Sequence, residues 1–456
     1  MSSIADVHPP QTAWRATVLR VLDTLSMPAL ATLLAFVGGA LIIWVTSGSL
    51  GTVLAAYEGM ISGAFLKTRG FSETLVAMTP YVFLGLGLAV GFKAGLFNIG
   101  VEGQFYIGAI SAVWVGVVFS GLPAIVHLPL VLLAGALGGA IWAGIPGFLK
   151  ARTGAHEVIT TMMMNYVAFR FAEFVVSGPL RDEHSTAVQT LRVSPNAELW
   201  SLHAIPARLS DPLNALGVAI FLAVLGVVLA RWLIGRPGLA TRFSTSSQRR
   251  TVSLVIALAV GLIAFFALPP LTQLWWPFSD QYDRMHIGFL LALVTAGAVW
   301  WLMFKTTLGF EMRMVGANPD AARYAGINIS RNIVVTMAIS GALAGVAGTA
   351  EVLGVSICRC LPLFFSSGYG FDSIALALLA KNNPIGILLG SFLFGAMRNG
   401  ADLMELNSGV SKYVISTIQA LVLLFVAAPA MVRYLLRMRG PQKLEEQAPL
   451  TRGWGG

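Results

Sequence analysis

Long, almost wholly apolar runs recur along the chain, near residues 27–46, 75–92, 103–120, 123–148, 158–176, 213–233, 251–270, 286–304, 332–354, 371–381, 384–403 and 413–432. Most run to roughly 17–25 residues, the length that lets a helix cross a hydrocarbon core of about 30 Å. They are too long and too uniformly apolar for the alternating strands of an outer-membrane barrel. The composition agrees: 56% of residues are hydrophobic and 11% charged, against about 25% charged in soluble domains. The expected fold is all-α and polytopic, with about 10–12 transmembrane helices.

The +9 net charge follows from basic residues gathering on the cytoplasmic side of a membrane protein. No soluble basic domain exists to carry nucleic acid, so no nucleic-acid partner is expected. Arg15 and Arg20 precede the first run and place the N-terminus inside. Alternation then puts Lys93, Lys150, Arg152, the Arg236–Arg250 linker, Lys305–Arg331 and Arg433–Lys443 inside as well. The facing loops, 177–212 among them, carry Asp182, Glu183, Glu198 and Asp211. Both termini are therefore expected in the cytoplasm of a bacterial-type inner membrane. The chain divides into an N-terminal segment 1–26, a transmembrane domain 27–437 and a tail 438–456. Met27–Thr46 reads as a retained first span, not a cleaved signal.

Several chemistries are excluded. No G-x-x-x-x-G-K-[ST] phosphate loop is present, so ATP and Mg²⁺ are not expected on this chain. His156–Glu157 begins an H-E-x-x-H zinc motif, but Thr160 stands where the second histidine belongs. Two cysteines, Cys358 and Cys360, are too few for a disulfide framework or a zinc site. No metal and no catalytic residue are expected.

Polar residues inside the apolar runs are the informative exceptions. GLFNIGVEGQFYIGA places Asn98, Glu102 and Gln104 mid-run. If the stretch is helical, Asn98, Glu102 and Tyr106 share one face. A carboxylate at a span centre costs roughly 2.5–3.5 kcal/mol and needs a protein partner or a watery cavity. Either a transport pathway or a clasp between helices meets that need. Asn165 sits mid-span with the same two readings; Arg170 and Glu173 should neutralise each other. Arg398, Asp402 and Glu405 read as an interfacial ion-pair set, and Phe364, Phe365, Tyr369 and Phe371 as an aromatic cluster. Phe371–Lys381 is about half the length of a crossing. It carries Asp372 and ends in KNNP, where Asn383 can cap and Pro384 can start a new helix. A short helix, a break and a new helix match the discontinuous helices that line transport sites.

The polar loop 305–332 is heavily punctuated. Asn318 can cap, Pro319 fits the first helical position, Asp320 suits the positive helix end, and Gly326 can close a left-handed turn. A short exposed helix, roughly Pro319–Ala325, is predicted; alone it would be unstable in water, so neighbours or a partner must hold it. Ala321 and Ala322 permit close approach, while Arg323 and Tyr324 are residue types favoured at binding hot spots.

Gly309, Arg313, Gly316, Asn318, Pro319, Ala321, Ala322, Tyr324, Ala325, Gly326 and Ile327 together make a GxxxRxxGxNPxAAxYAGI pattern, with Glu311, Asp320 and Arg323 at its open positions. It resembles the cytoplasmic coupling loop of permease subunits of ABC importers in the branched-chain amino acid, ribose and simple-sugar group. GLFNIGVEGQ, HEVITTMMMNY and GYGFDSIALALLAKNNP are similar to the nucleoside-importer branch. That resemblance implies a type II importer-like permease and a cytoplasmic ATPase, carrying ATP and Mg²⁺, docked on the loop. It also implies a second permease (homologous or a copy of the chain) and an extracytoplasmic substrate-binding lipoprotein. Asn98, Glu102, Gln104, Asn165, Phe371, Asp372 and Asn383 become candidate pathway residues. The two runs at 213–233 and 251–270 look like an insertion with no assigned role. An ion-coupled carrier acting alone, using Glu102 or Asp372, is the competing class; a sugar or branched-chain amino acid is the competing substrate.

Overall fold

A computed structural model describes residues 13–234, 246–363, 365–428 and Val432. The Arg236–Thr245 part of the linker, Phe364, Arg433–Lys443 and the terminal segments 1–12 and 433–456 lie outside the described residues. The fold is all-α. In chain order the helices are α1 Ala13–Ser47, α2 Leu50–Ile61, α3 Gly70–Lys93, α4 Val101–Val118, α5 Ala124–Thr153 and α6 Glu157–Ser177, then short α7 Ile205–Leu209 and α8 Pro212–Ile234. They continue with α9 Ser246–Leu274, α10 Ile287–Lys305, α11 Thr307–Ala317, α12 Pro319–Tyr324, α13 Ile329–Ala350, α14 Tyr369–Leu379, α15 Pro384–Ser408 and α16 Tyr413–Ala427. Among the described residues, eight helices are long and apolar enough to cross a membrane, and three apolar segments are shorter. The chain is a multi-pass membrane protein.

Three helices were not expected: α7, α11 and α2, the last of which, extended by a π turn over Ser62–Leu66, packs on α15. Its run is broken by Tyr57 and Glu58 and is too short to register as a span. Elsewhere the predicted runs and the helices coincide to within a few residues, except that α1 starts well before its apolar run.

The centre is built from α3, α4, α5 and α13. Tyr81, Phe83, Leu84, Leu86 and Leu88 of α3 are fully buried. With apolar lipid outside, helices in a membrane gain from close backbone approach, which small residues allow. A Cβ at Gly345 of α13 would lie 2.0 Å from the Gly135 carbonyl oxygen of α5, and one at Gly108 of α4 would lie 2.2 Å from the Gly345 Cα. Three helices thus meet backbone to backbone. The α8–α9 hairpin, the apparent insertion, is peripheral. Its helices join through Ala219, Ala223 and Gly226 against Ala257 and Gly261, and Gly217 rests on Ile125.

The bundle has two ends. One carries Thr306–Asn328. The other carries the loops 178–204, 275–286 and 356–368, laced by Thr190 N–H to Leu361 O and Val193 N–H to Arg359 O, both 3.0 Å. Cys358 and Cys360 form a disulfide there, a single local bridge and not a framework. Beside it, burial pushes the His286 imidazole down to about 3, with Arg359 and Arg284 adding to the shift, so the ring stays neutral.

Candidate functional site

α14 begins deep within the bundle, and its first turn meets Glu102. The Glu102 carboxylate accepts from the Gly370 N–H at 2.6 Å and from the Ser366 hydroxyl, and the Phe371 N–H is also directed at it. Gly368, with φ of 89°, turns the chain into the helix. A carboxylate at a helix N-terminus meets unsatisfied N–H groups and the positive end of the dipole, which offsets its burial. Gly370 is required for this approach: a Cβ there would lie 2.5 Å from Glu102 Oε2.

The residues beside this contact line an open cavity of about 420 Å³ between α4, α6 and the segment leading into α14. Such a volume falls in the range of small-molecule sites. Its wall is aromatic: Tyr106 meets Phe365 at 4.7 Å and Phe169 at 5.0 Å, both edge to face, and Phe371 lines the rim. Arg170 and Glu173 pair at 2.6 Å at the edge, as their spacing suggests.

The other candidate pathway residues separate by role. Asn98 is not on a helix face with Glu102, because α4 starts only at Val101. It lies in the irregular turn before α4 and exchanges two amide hydrogen bonds with Gln104, both 2.9 Å, while donating to Ser340 at 3.0 Å. Asn165 accepts from Gly103 N–H at 2.8 Å and donates to Ile99 O at 3.0 Å, tying α6 to α4. These three amides are satisfied clasps. Asn383 is exposed and caps α15, accepting from the Ile385 N–H at 3.0 Å. Asp372 accepts from the Tyr81 hydroxyl at 3.1 Å.

Arg398 belongs with Asp372 and not, as expected, with Asp402 and Glu405. Its guanidinium lies 3.7 Å over the Tyr369 ring and donates to the Tyr81 hydroxyl at 3.4 Å. Asp402 pairs with Lys412 at 3.3 Å instead. The i, i+4 spacing from Arg398 reads as surface charge; the inward turn of its face is set by packing on α3. Sequence reasoning also missed Glu351, on a π turn over Glu351–Val355, which interacts with Tyr369 and keeps one oxygen buried without a partner among the described residues. π turns concentrate at functional positions, but no spacing rule marks them.

At the Thr306–Asn328 end, three caps act in series. Thr306 accepts from Gly309 N–H at 3.1 Å, Asn318 from Ala321 N–H at 3.1 Å, and Asn328 from Arg331 N–H at 2.9 Å. Gly326 takes φ of 80°. α12 stands out with Tyr324 95% exposed, while Asn318, Asp320, Ala321 and Arg323 are exposed beside it and Ala322 is buried against the chain itself. Pro319 starts α12 and is half-buried. The remaining loop residues anchor it. Arg313 donates to Met303 O at 2.5 Å, Glu311 accepts from Asn332 at 2.9 Å, and Gly309 packs on the Leu302 carbonyl. Gly316 lies against the Lys93 carbonyl and Gly95. That contact begins the same turn that holds Asn98 and opens α4 toward Glu102, so the protruding helix and the cavity share one short stretch of backbone.

Among the described residues no cluster of His, Cys, Asp and Glu is placed to hold a metal. No solved structure matches the chain. Residues 70–427 match the family described as branched-chain amino acid transport system / permease component. The chain is 34% identical over 422 residues, 92% of its length and 97% of the relative, to the guanosine ABC transporter permease protein NupP of Bacillus subtilis (strain 168). It is 28% identical over 413 residues, 90% of the chain and 92% of the relative, to the nucleoside ABC transporter permease protein NupB of Lactococcus lactis subsp. cremoris. It is 31% identical over 371 residues, 81% of the chain and 79% of the relative, to the glucose ABC transporter permease protein TsgB13 of Haloferax volcanii. An all-α polytopic fold matched along most of its length in this way belongs to the branched-chain amino acid transport system permease family.

Proposed function

We propose that the chain is the membrane-spanning subunit of an ATP-driven importer of nucleosides. The observation that carries this reading is the likeness to NupP across 92% of the chain, which the aromatic cavity beside Glu102 supports. A separate ATPase, holding ATP and Mg²⁺, docks on the exposed face from Asn318 to Gly326. Tyr324 is the anchor and Arg323 the charge, and Glu311, Arg313 and Gly316 pass its motion to the bundle. Substrate arrives on a lipoprotein at the opposite end, and a second permease, homologous or identical, completes the pathway. The termini and the Thr306–Asn328 end face the cytoplasm of the inner membrane, in keeping with the distribution of arginine and lysine. Closure of the ATPase biases a two-state bundle between outward and inward access.

The experiment is uptake by vesicles holding the permease, its ATPase and its lipoprotein. Guanosine entry should require internal ATP and persist when ion gradients are collapsed. Uptake by the purified chain alone on a proton or sodium gradient would instead establish the ion-coupled class, and ATP-driven uptake of glucose or leucine without guanosine would move the substrate to the sugar or amino acid class.

A further inference from the structure

The carboxylate of Glu102 is more than a cap for α14. It is 2% exposed, yet it lines the cavity. A carboxylate is acceptor-only, with about four lone-pair sites. Ser366 takes one on Oε1 and Gly370 one on Oε2, and the Phe371 N–H is directed at a third, leaving one acceptor site for what enters the cavity. Because Ser366 and the α14 amides fix both oxygens, no side-chain freedom is lost when a ligand arrives. What enters must therefore present O–H or N–H donors to one end and a flat apolar surface to Tyr106, Phe169 and Phe365, whose rings form the adjacent wall. Arg170 and Glu173 neutralise each other at the rim, so nothing there selects for a charged solute.

We propose that this cavity binds a ribonucleoside, with the 2′,3′-diol of the ribose on the Glu102 carboxylate and the base against the aromatic wall. The proposal rests on the reading of the chain as a nucleoside permease and adds where the sugar sits. A vicinal diol sets two O–H donors side by side, so either can reach the acceptor site that remains on the fixed carboxylate. Carboxylates hold ribose hydroxyls in the same manner in dinucleotide sites, and aromatic faces stack on any base. One consequence is tolerance of the base with intolerance of sugars lacking hydroxyls. A second is selection by the permease itself, separate from any made by the lipoprotein.

The test is equilibrium binding of tritiated guanosine to the whole permease–ATPase complex in lipid nanodiscs, without lipoprotein. Competitors are unlabelled guanosine, inosine, 2′,3′-dideoxyguanosine and guanine. Inosine should compete within a few-fold of guanosine, and dideoxyguanosine at least about 10-fold more weakly, the factor expected for losing hydrogen bonds to a charged group. Glu102→Gln keeps an acceptor for Gly370 and should shrink the guanosine–dideoxyguanosine gap below about threefold. Should that variant fail to assemble, the wild-type competition decides alone. Equal competition by dideoxyguanosine overturns the diol assignment while leaving the nucleoside reading intact. Guanine competing like guanosine with inosine inactive would place the base edge on Glu102 and also overturn it. Binding of labelled glucose or leucine in place of guanosine would remove the nucleoside reading itself, and no binding of any of these up to millimolar concentration would remove the cavity as a binding site.

Discussion

Gly316→Ala asks whether the protruding loop drives the cavity through the joint at Gly95. An added Cβ would sit 2.3 Å from the Lys93 carbonyl oxygen, 2.7 Å from the Ala94 carbonyl carbon and 2.8 Å from the Gly95 nitrogen. All three are backbone atoms, so no rotamer change relieves the contact. α11 or the turn must retreat by about 1 Å to restore packing. Overpacking of this kind costs about 1–3 kcal/mol. Borne by only one of the two access states, that energy changes their ratio by about 5–150-fold. The exposed face from Asn318 to Gly326 is untouched, so the ATPase should still co-purify and hydrolyse ATP. The expected outcome is at least about a fivefold fall in guanosine imported per ATP hydrolysed in reconstituted vesicles. Gly297→Ala on α10, where a Cβ would meet nothing within 4 Å, is the control and should behave as wild type. Gly316→Ala with normal abundance and an unchanged transport ratio would refute the mechanical role of the joint.

Tyr324→Ala and Arg323→Glu change exposed side chains of α12. Both should reduce ATPase co-purification by about tenfold or more while the permease melts normally; unchanged co-purification would argue that the ATPase grips elsewhere. Arg398→Met removes the guanidinium stacked on Tyr369 and its hydrogen bond to the Tyr81 hydroxyl and should destabilise the chain by about 1–3 kcal/mol, read as a lower melting temperature in detergent. Arg398→Lys keeps the charge but loses the planar stack on Tyr369, so its melting temperature should fall between the two. Gly345→Val forces side-chain atoms into the Gly135 carbonyl and should abolish accumulation in the membrane; wild-type levels would show that the α5–α13 approach is looser than described.

Much of this protein was written locally. Hydrophobic runs marked the membrane helices because the bilayer sets their length. Asn318, Pro319 and Gly326 marked α12 because caps act within a few residues. The break at Asn383–Pro384 was legible for the same reason. Local reading failed where a polar group finds its partner far along the chain. Asn98, Glu102, Gln104 and Asn165 all looked like one class of anomaly, polar residues in apolar runs. The fold divides them: Asn98 and Gln104 close on each other while Asn98 also reaches Ser340, Asn165 ties α6 to α4, and only Glu102 reaches α14, 268 residues away. Arg398 likewise looked superficial until packing on α3 turned it toward Tyr81 and Tyr369. The sequence by itself determined that such groups must be satisfied, since an apolar interior penalises any that are not. Which partner satisfies each was decided only by tertiary structure, because hydrogen bonds act over about 3 Å in space and are indifferent to distance along the chain.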